Sequence, residues 1–568
     1  MAETADLILR NARVYPLASH DDTPARGLAV AGGTVLAIAR SDDRELDALI
    51  GPETEVRDLH GAVVVPGLFD AHSHHLIGGA TELSQLRFPT SASVDEVLKA
   101  VDAWASEAPD GEWIMGGSWG SSLLEQLSTV AARRRLDAVS HGHPVVLFDD
   151  SHHNNWANTA ALELAGIPLE GGDDLAEGTV LDADTGETTG VLLERAVLPI
   201  RAARDAHSSE SETDWMVYSQ KAWEMYSAMG VTGLQEAVAE ARELRTLHRM
   251  EQEDKLIGRV SCCLLFAGSL DQNAMSAEDL DRLARDVESD LLRTDWVKLH
   301  MDGVPPARTA AFLDPYLPTP QHGHDHRGDV FHPHEKLVGM LRGYADAGRS
   351  VKVHCTGDAS VRACLDAIEV LRSEGYTSTR FQIAHGQFVS EDDRVRMRDL
   401  SVIAEISPFL WYPGEIPKAI AEVLPEDRAR RMQPNRALTD LGVLVAGGSD
   451  WPVCPSPNLW EGIAGLVTRA DPTNEYPGTL WPEQALTVAE ALRVFTINGA
   501  EAAGLDHVTG SLEPGKSADF AVIDRDPFVV DPADIAGTRV QETWFRGRRV
   551  YLRSMESTPA TERTTATT

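Results

Sequence analysis

Val63-Val64-Val65-Pro66-Gly67-Leu68-Phe69-Asp70-Ala71-His72-Ser73-His74 is the stretch on which the fold turns. An apolar β-branched run meets a Pro-Gly turn signal and then presents two histidines separated by one residue. On an extended strand, residues i and i+2 point to the same side. His72 and His74 can therefore face one point at the C-terminal end of a strand, a spacing that suits two imidazoles on one metal ion. Alone, a His-x-His is equally compatible with hydrogen-bonded core histidines, so the rest of the chain decides.

Downstream of this stretch, from about 65 to 500, short β-branched runs alternate with helix-patterned segments. After the first strand, seven more are expected: Val231 to Ala237, Arg259 to Phe266, Asp295 to Asp302, Ser350 to Gly357, Thr379 to Gly386, Ser401 to Ser407 and Val443 to Asp450. Helical patterns intervene, as in Ala277 to Leu292 and Ala359 to Ser373. Eight strands with crossover helices predict an α/β fold, a parallel sheet closed into a TIM-type barrel over 65–504. Roughly 155 residues separate the first two strands, too many for one crossover, so 85–225 is expected to form an inserted subdomain. Residues 1–64 and 505–555 both read as short strands between turn residues and predict one composite β-sandwich. The Thr-rich tail, 556–568, has the composition of disorder.

Composition narrows the function classes. The chain of 568 residues is 43% apolar but has no run long enough for a membrane span. Met1 to Leu9 lacks a basic segment before an apolar block, so no signal peptide is expected. Cys262, Cys263, Cys355, Cys364 and Cys454 show no CxxC spacing, which argues against a disulfide framework or thiolate zinc site and for a reducing cytoplasm. The formal net charge of -37 argues against nucleic acid and anionic membrane as partners. Only 8 of the 51 basic residues are lysine, which fits either a GC-rich genome or a salt-adapted surface. Melting in low and molar salt separates the two, since loss of stability at low salt marks adaptation.

In barrels of this kind, chemistry sits at the C-terminal ends of strands. Taken in order, those ends supply His72 and His74, Lys298, His354, His385 and Asp450. Singly, each has a structural explanation; jointly they indicate a metal site. Lys298 is costly to bury as a cation. It could pair with Asp302, or its neutral amine could add CO2 to form a carbamate, whose two oxygens can bridge two cations. Alternation puts Lys298, His300 and Asp302 on one side, so His300 remains a rival ligand.

These residues resemble the amidohydrolase superfamily, and more narrowly its amidohydrolase-3 group, which includes N-substituted formamide deformylase-like enzymes. The resemblance spans about residues 5–555. Pro66 to His74, Trp113 to Trp119, His153 to Leu162, Gly190 to Glu194, Val297-Lys298, Asp302-Gly303, Val353 to Asp358 and Gly448-Ser449-Asp450 bear it. It implies a TIM-type barrel, a composite sandwich and one or two divalent ions, zinc or similar. It also implies His72, His74, Lys298, His354, His385 and Asp450 as the metal-site residues. One departure is Ala384, where the family often has Glu before the strand-6 histidine.

The expected activity is hydrolysis of a non-peptide C–N bond in an amide, formamide or cyclic amide. Metal-activated hydroxide would attack the carbonyl carbon, with Asp450 as general acid and base. A deaminase, a carbamate or ester hydrolase, or a catalytically silent scaffold are the alternatives. There is no Gly-x-Ser-x-Gly elbow and no phosphate-binding Gly-rich loop. Trp119, His153, Trp156, Glu194 and Asp302 are expected to contact substrate, the first four from the insertion over the barrel mouth. Trp411 and Tyr412 could line an apolar pocket. The loop bearing His322, His324, His326, His332 and His334 has irregular spacing and reads as solvated. The expected partner is a small-molecule substrate, with homodimerisation left open.

Overall fold

The structure is a computed structural model, described here for residues 4–19, 22–172, 174–208, 210–266 and 276–554. The tail expected to be disordered lies outside the described residues. Among them, no helix is long and apolar enough to cross a membrane.

The central sheet has eight strands in chain order: Leu68–Ser73, Val231–Ala239, Arg259–Leu264, Leu292–His300, Ser350–Cys355, Phe381–His385, Val402–Ile406 and Val445–Gly447. Every adjacent pair is parallel. Helices such as Asp358–Ser373 form the crossovers, burying Val361, Leu365, Ile368 and Leu371 at helical spacing. First and last strands share no regular ladder. Instead the Asp450 N–H donates to the His72 carbonyl at 2.8 Å, and Asp70 accepts from the Ser449 N–H and hydroxyl at 2.9 and 2.6 Å. Gly448 makes this approach feasible, since a Cβ there would lie 2.4 Å from that of His72.

The opening stretch divides between two sheets. Val63–Pro66 pairs with Arg13–Val14 and Phe520–Ile523 in the sandwich, and the first barrel strand begins only at Leu68. The chain crosses over at Gly67, where a Cβ would meet Thr232 Oγ1 at 2.0 Å. Both halves are buried throughout, so no change of hydrophobic pattern marks the break. His74 lies just past the strand, at the residue before the helix His75–Ser84 and without a side-chain cap bond, so it approaches its partner from a turn rather than from strand alternation.

The sandwich combines a four-stranded sheet from the N-terminal segment with a five-stranded sheet built from both chain ends. Leu7, Leu9, Val30, Val64, Phe520 and Trp544 pack between them. The insertion carries its own five-stranded sheet. Helix Val94–Ala105 covers it, started by a Ser93–Glu96 capping box and burying Val94, Val97, Leu98 and Val101. Its loop between Asp149 and Asn154, together with Glu194, reaches the C-terminal mouth of the barrel.

Gly448→Ala should cost about 1–3 kcal/mol by overpacking against His72. The exposed helical Gly343→Ala, with nothing within 4 Å of its added methyl, should be neutral or stabilising. Thermal melting of both variants checks the contrast; equal midpoints would contradict the role given to Gly448.

Candidate metal centre

Strand ends bring His72, His74, Lys298, His354, His385 and Asp450 to one place at the barrel mouth. His72 Nε2 lies 3.4 Å from Lys298 Nζ and 3.5 Å from Asp450 Oδ1. His74 Nε2 is 3.6 Å from the same carboxylate oxygen, and His385 Nδ1 is 3.7 Å from Oδ2. The His385 ring stands 4.7 Å from both His72 and His354. His385 and Asp450 both hold left-handed backbone, φ 67° and 56°, which side-chain-bearing residues adopt at a cost and which clusters at functional sites.

The donor set fits a divalent cation. His74 Nδ1 and His385 Nδ1 are buried without a hydrogen-bond partner. Burial pushes the His385 imidazole down to about 3 and those of His72 and His354 well below the usual range. They are therefore neutral at pH 7, the form that binds metal. Burial alone would raise the Asp450 carboxyl, but His74, His385 and Lys298 around it hold it below the ordinary value. Ligand atoms of His72, His74 and Asp450, and those of His72, His385 and Glu405, lie within 4.8 Å of one another.

Lys298 is buried and makes no ion pair with Asp302; burial and the neighbouring Lys352 push it down to about 8. His300, the rival ligand, makes its ring contacts with His354 and His153, at 5.3 and 6.5 Å.

Several expected substrate contacts serve other purposes. Asp302 is fully buried, and its carboxylate accepts the N–H groups of Ala311, Thr356 and Gly357 at 2.9–3.0 Å. It holds two loops together instead of facing substrate. Trp119 and Trp156 lie in the core of the insertion. Trp411 is buried beneath the Arg469 guanidinium, 3.7 Å from its ring. A residue's presence in the insertion did not reveal which face it occupies. Among the described residues no metal-ligand group forms in the His-rich loop, where His326 stacks on His322 and Tyr316.

His153 lines the cavity that His354, His385 and Asp450 also border. Its Nδ1 is 2.9 Å from Glu194 Oε2, whose other oxygen accepts from Thr309 Oγ1 at 2.7 Å. Glu194 thus holds His153 in place and ties the insertion to the loop after the fourth barrel strand. Val304, Pro305, Pro306, Leu410, Ile416 and Val453 supply apolar walls.

Three buried charged residues near the centre escaped the reading of strand ends. Glu405 Oε2 lies 2.6 Å from His72 Nδ1. Glu236 bonds His75 through both its ring Nδ1 and its N–H. Lys352 Nζ donates to the Ala71 carbonyl. Their signal was present, since each is a charge within an apolar strand run, such as Val351-Lys352-Val353.

A family described as "Amidohydrolase family" matches residues 55–551 of the chain. N-substituted formamide deformylase of Arthrobacter pascens is 27% identical over 98% of this chain and 100% of its own length. The putative amidohydrolase YtcJ of Bacillus subtilis is also 27% identical, over 89% of this chain and 92% of its own. In fold, the chain resembles an uncharacterized metal-dependent hydrolase of Pyrococcus horikoshii, with a TM-score of 0.71 at 24% identity over 93% of this chain and 99% of the other. The protein belongs to the amidohydrolase family and is a hydrolase of carbon–nitrogen bonds.

Asp302→Ala leaves three backbone N–H groups unpaired, each costing roughly 1–3 kcal/mol. Its denaturation midpoint should fall sharply. Trp119→Phe, altered only in the insertion core, should leave KM unchanged; a KM rise at constant kcat would place Trp119 against substrate after all.

Proposed function

We propose that this enzyme hydrolyses a non-peptide amide or formamide bond in a small, largely apolar substrate, using one or two divalent ions, zinc in the first instance. The observation that supports this most is the placement of Asp450. Its two oxygens face His72 and His74 on one side and His385 on the other, at the edge of the cavity.

His72, His74, His354, His385 and Asp450 would hold the cation, with Lys298 joining them as a carbamate. That carbamate forms when the neutral Lys298 amine attacks CO2 and releases one proton. A bound divalent cation supplies Lewis acidity, polarising a carbonyl and lowering the pKa of water towards neutrality. Asp450 takes a proton from the attacking water and returns it to the leaving nitrogen, so no serine or cysteine nucleophile is required. His153, its Nδ1 engaged by Glu194, offers its remaining ring nitrogen to a polar group of the substrate. Val304, Pro305 and Pro306, with Leu410 and Ile416 among the other apolar walls, receive an apolar substituent and exclude water from the leaving group. The name of the Arthrobacter relative supports a formamide as the first substrate to try. Cytoplasmic residence belongs to the same reading, on the free cysteines at 262, 263, 355, 364 and 454.

Metal analysis and an amide and formamide panel test the proposal. The wild-type protein should retain one or two equivalents of metal, two supporting the Lys298 carbamate and one counting against it. Asp450→Asn should lower kcat by roughly 10²- to 10⁴-fold. A protein that stays inert on the panel after zinc or manganese loading would refute the assignment.

A further inference from the structure

Lys352 and Glu405 lie inside the barrel, each 0% exposed, and neither has a part in the reaction described above. Lys352 stands on the fifth barrel strand two residues before His354, so it points to the same side one layer deeper. Its Nζ reaches across the barrel to donate to the Ala71 carbonyl on the first strand, and lies 4.0 Å from Glu405 Oε2. Glu405, on the seventh strand, presents that same oxygen to His72 Nδ1 at 2.6 Å. Its register partner on the sixth strand is Ala384, which contributes only a methyl to that layer.

Lys352 therefore grips the first strand twice, through the carbonyl immediately before His72 and through the carboxylate that bonds the His72 ring. A hydrogen bond from Nδ1–H to Glu405 fixes the tautomer of His72 and leaves the Nε2 lone pair free. That nitrogen is the one near Asp450 Oδ1. A buried cation and carboxylate are a poor choice for stability alone, since an apolar pair of similar volume commonly folds as well or better.

We infer that Lys352 and Glu405 are positioning residues that fix the orientation and tautomer of His72, and through it the affinity of the site for its cation. The inference rests on the metal reading of the site. Glu405 acts through His72 and is not itself a ligand.

Cobalt binding to the metal-stripped full-length protein tests this, measured by equilibrium dialysis and by the visible absorption of the bound ion. Glu405→Gln keeps the shape of the side chain. The double variant Lys352→Met/Glu405→Gln removes both charges and so avoids an unpaired buried charge. Each variant should bind cobalt roughly 10- to 100-fold more weakly than wild type, with an altered spectrum. The stripped double variant should melt at or above the wild-type temperature, and at saturating cobalt KM should be unchanged while kcat falls. Wild-type affinity and spectrum in both variants would overturn the inference. Loss of one full equivalent at saturating cobalt would overturn it too, by making Glu405 a ligand. If wild type itself binds no cobalt, the metal reading falls, and this inference with it.

Discussion

The structure depends on how the barrel closes. A regular ladder between the first and eighth strands would leave no freedom to aim Asp450. Here the seam is made of single contacts: the Asp450 N–H on the His72 carbonyl, the Asp70 carboxylate on Ser449, and Gly448 against the His72 backbone. These contacts bring His72 and His74, from the start of the barrel sequence, each within 4 Å of Asp450 at its end. Asp450, held by this seam, keeps a left-handed backbone, φ 56°.

Around that seam, the barrel interior is charged where most barrels are filled by branched apolar side chains. Lys298, Lys352, Glu405, Asp70 and Asp302 are all buried. Burial raises Asp70 and Asp302 to about 6 and lowers Lys298 to about 8. Asp70 and Asp302 spend their oxygens on backbone N–H groups and hydroxyls, and so lock loops. Glu405 and Glu236 spend theirs on histidines beside the cation site. Beside these committed groups, His74 and His385 each keep a ring Nδ1 without a hydrogen-bond partner.

Much of this was legible in the sequence because parallel barrels present chemistry at strand ends. Val-His-Cys-Thr-Gly-Asp and Gly-Gly-Ser-Asp follow apolar runs, so His354 and Asp450 announced themselves. The break at Gly67 was hidden because both flanking strands are wholly buried. The substrate side was harder to read. His153 lines the cavity and Glu194 bonds it, yet Trp119 and Trp156, of the same insertion, pack into its core. Local pattern reports that a tryptophan is buried but not whether against a subdomain or a cavity. Asp302 misled for a related reason: its alternation with Lys298 is real, but three backbone donors from two later loops claim it. Lys352 and Glu405 lie deeper in their strands than the ends where chemistry was sought.

Anomalous X-ray scattering at the zinc edge, from crystals grown with zinc, addresses the central claim most directly. The account predicts anomalous density among His72, His74, His385 and Asp450, with continuous density extending from Lys298 beyond its amine. Density confined to the His322–His326 loop, or a mouth bound only by water at full zinc occupancy elsewhere, would contradict it.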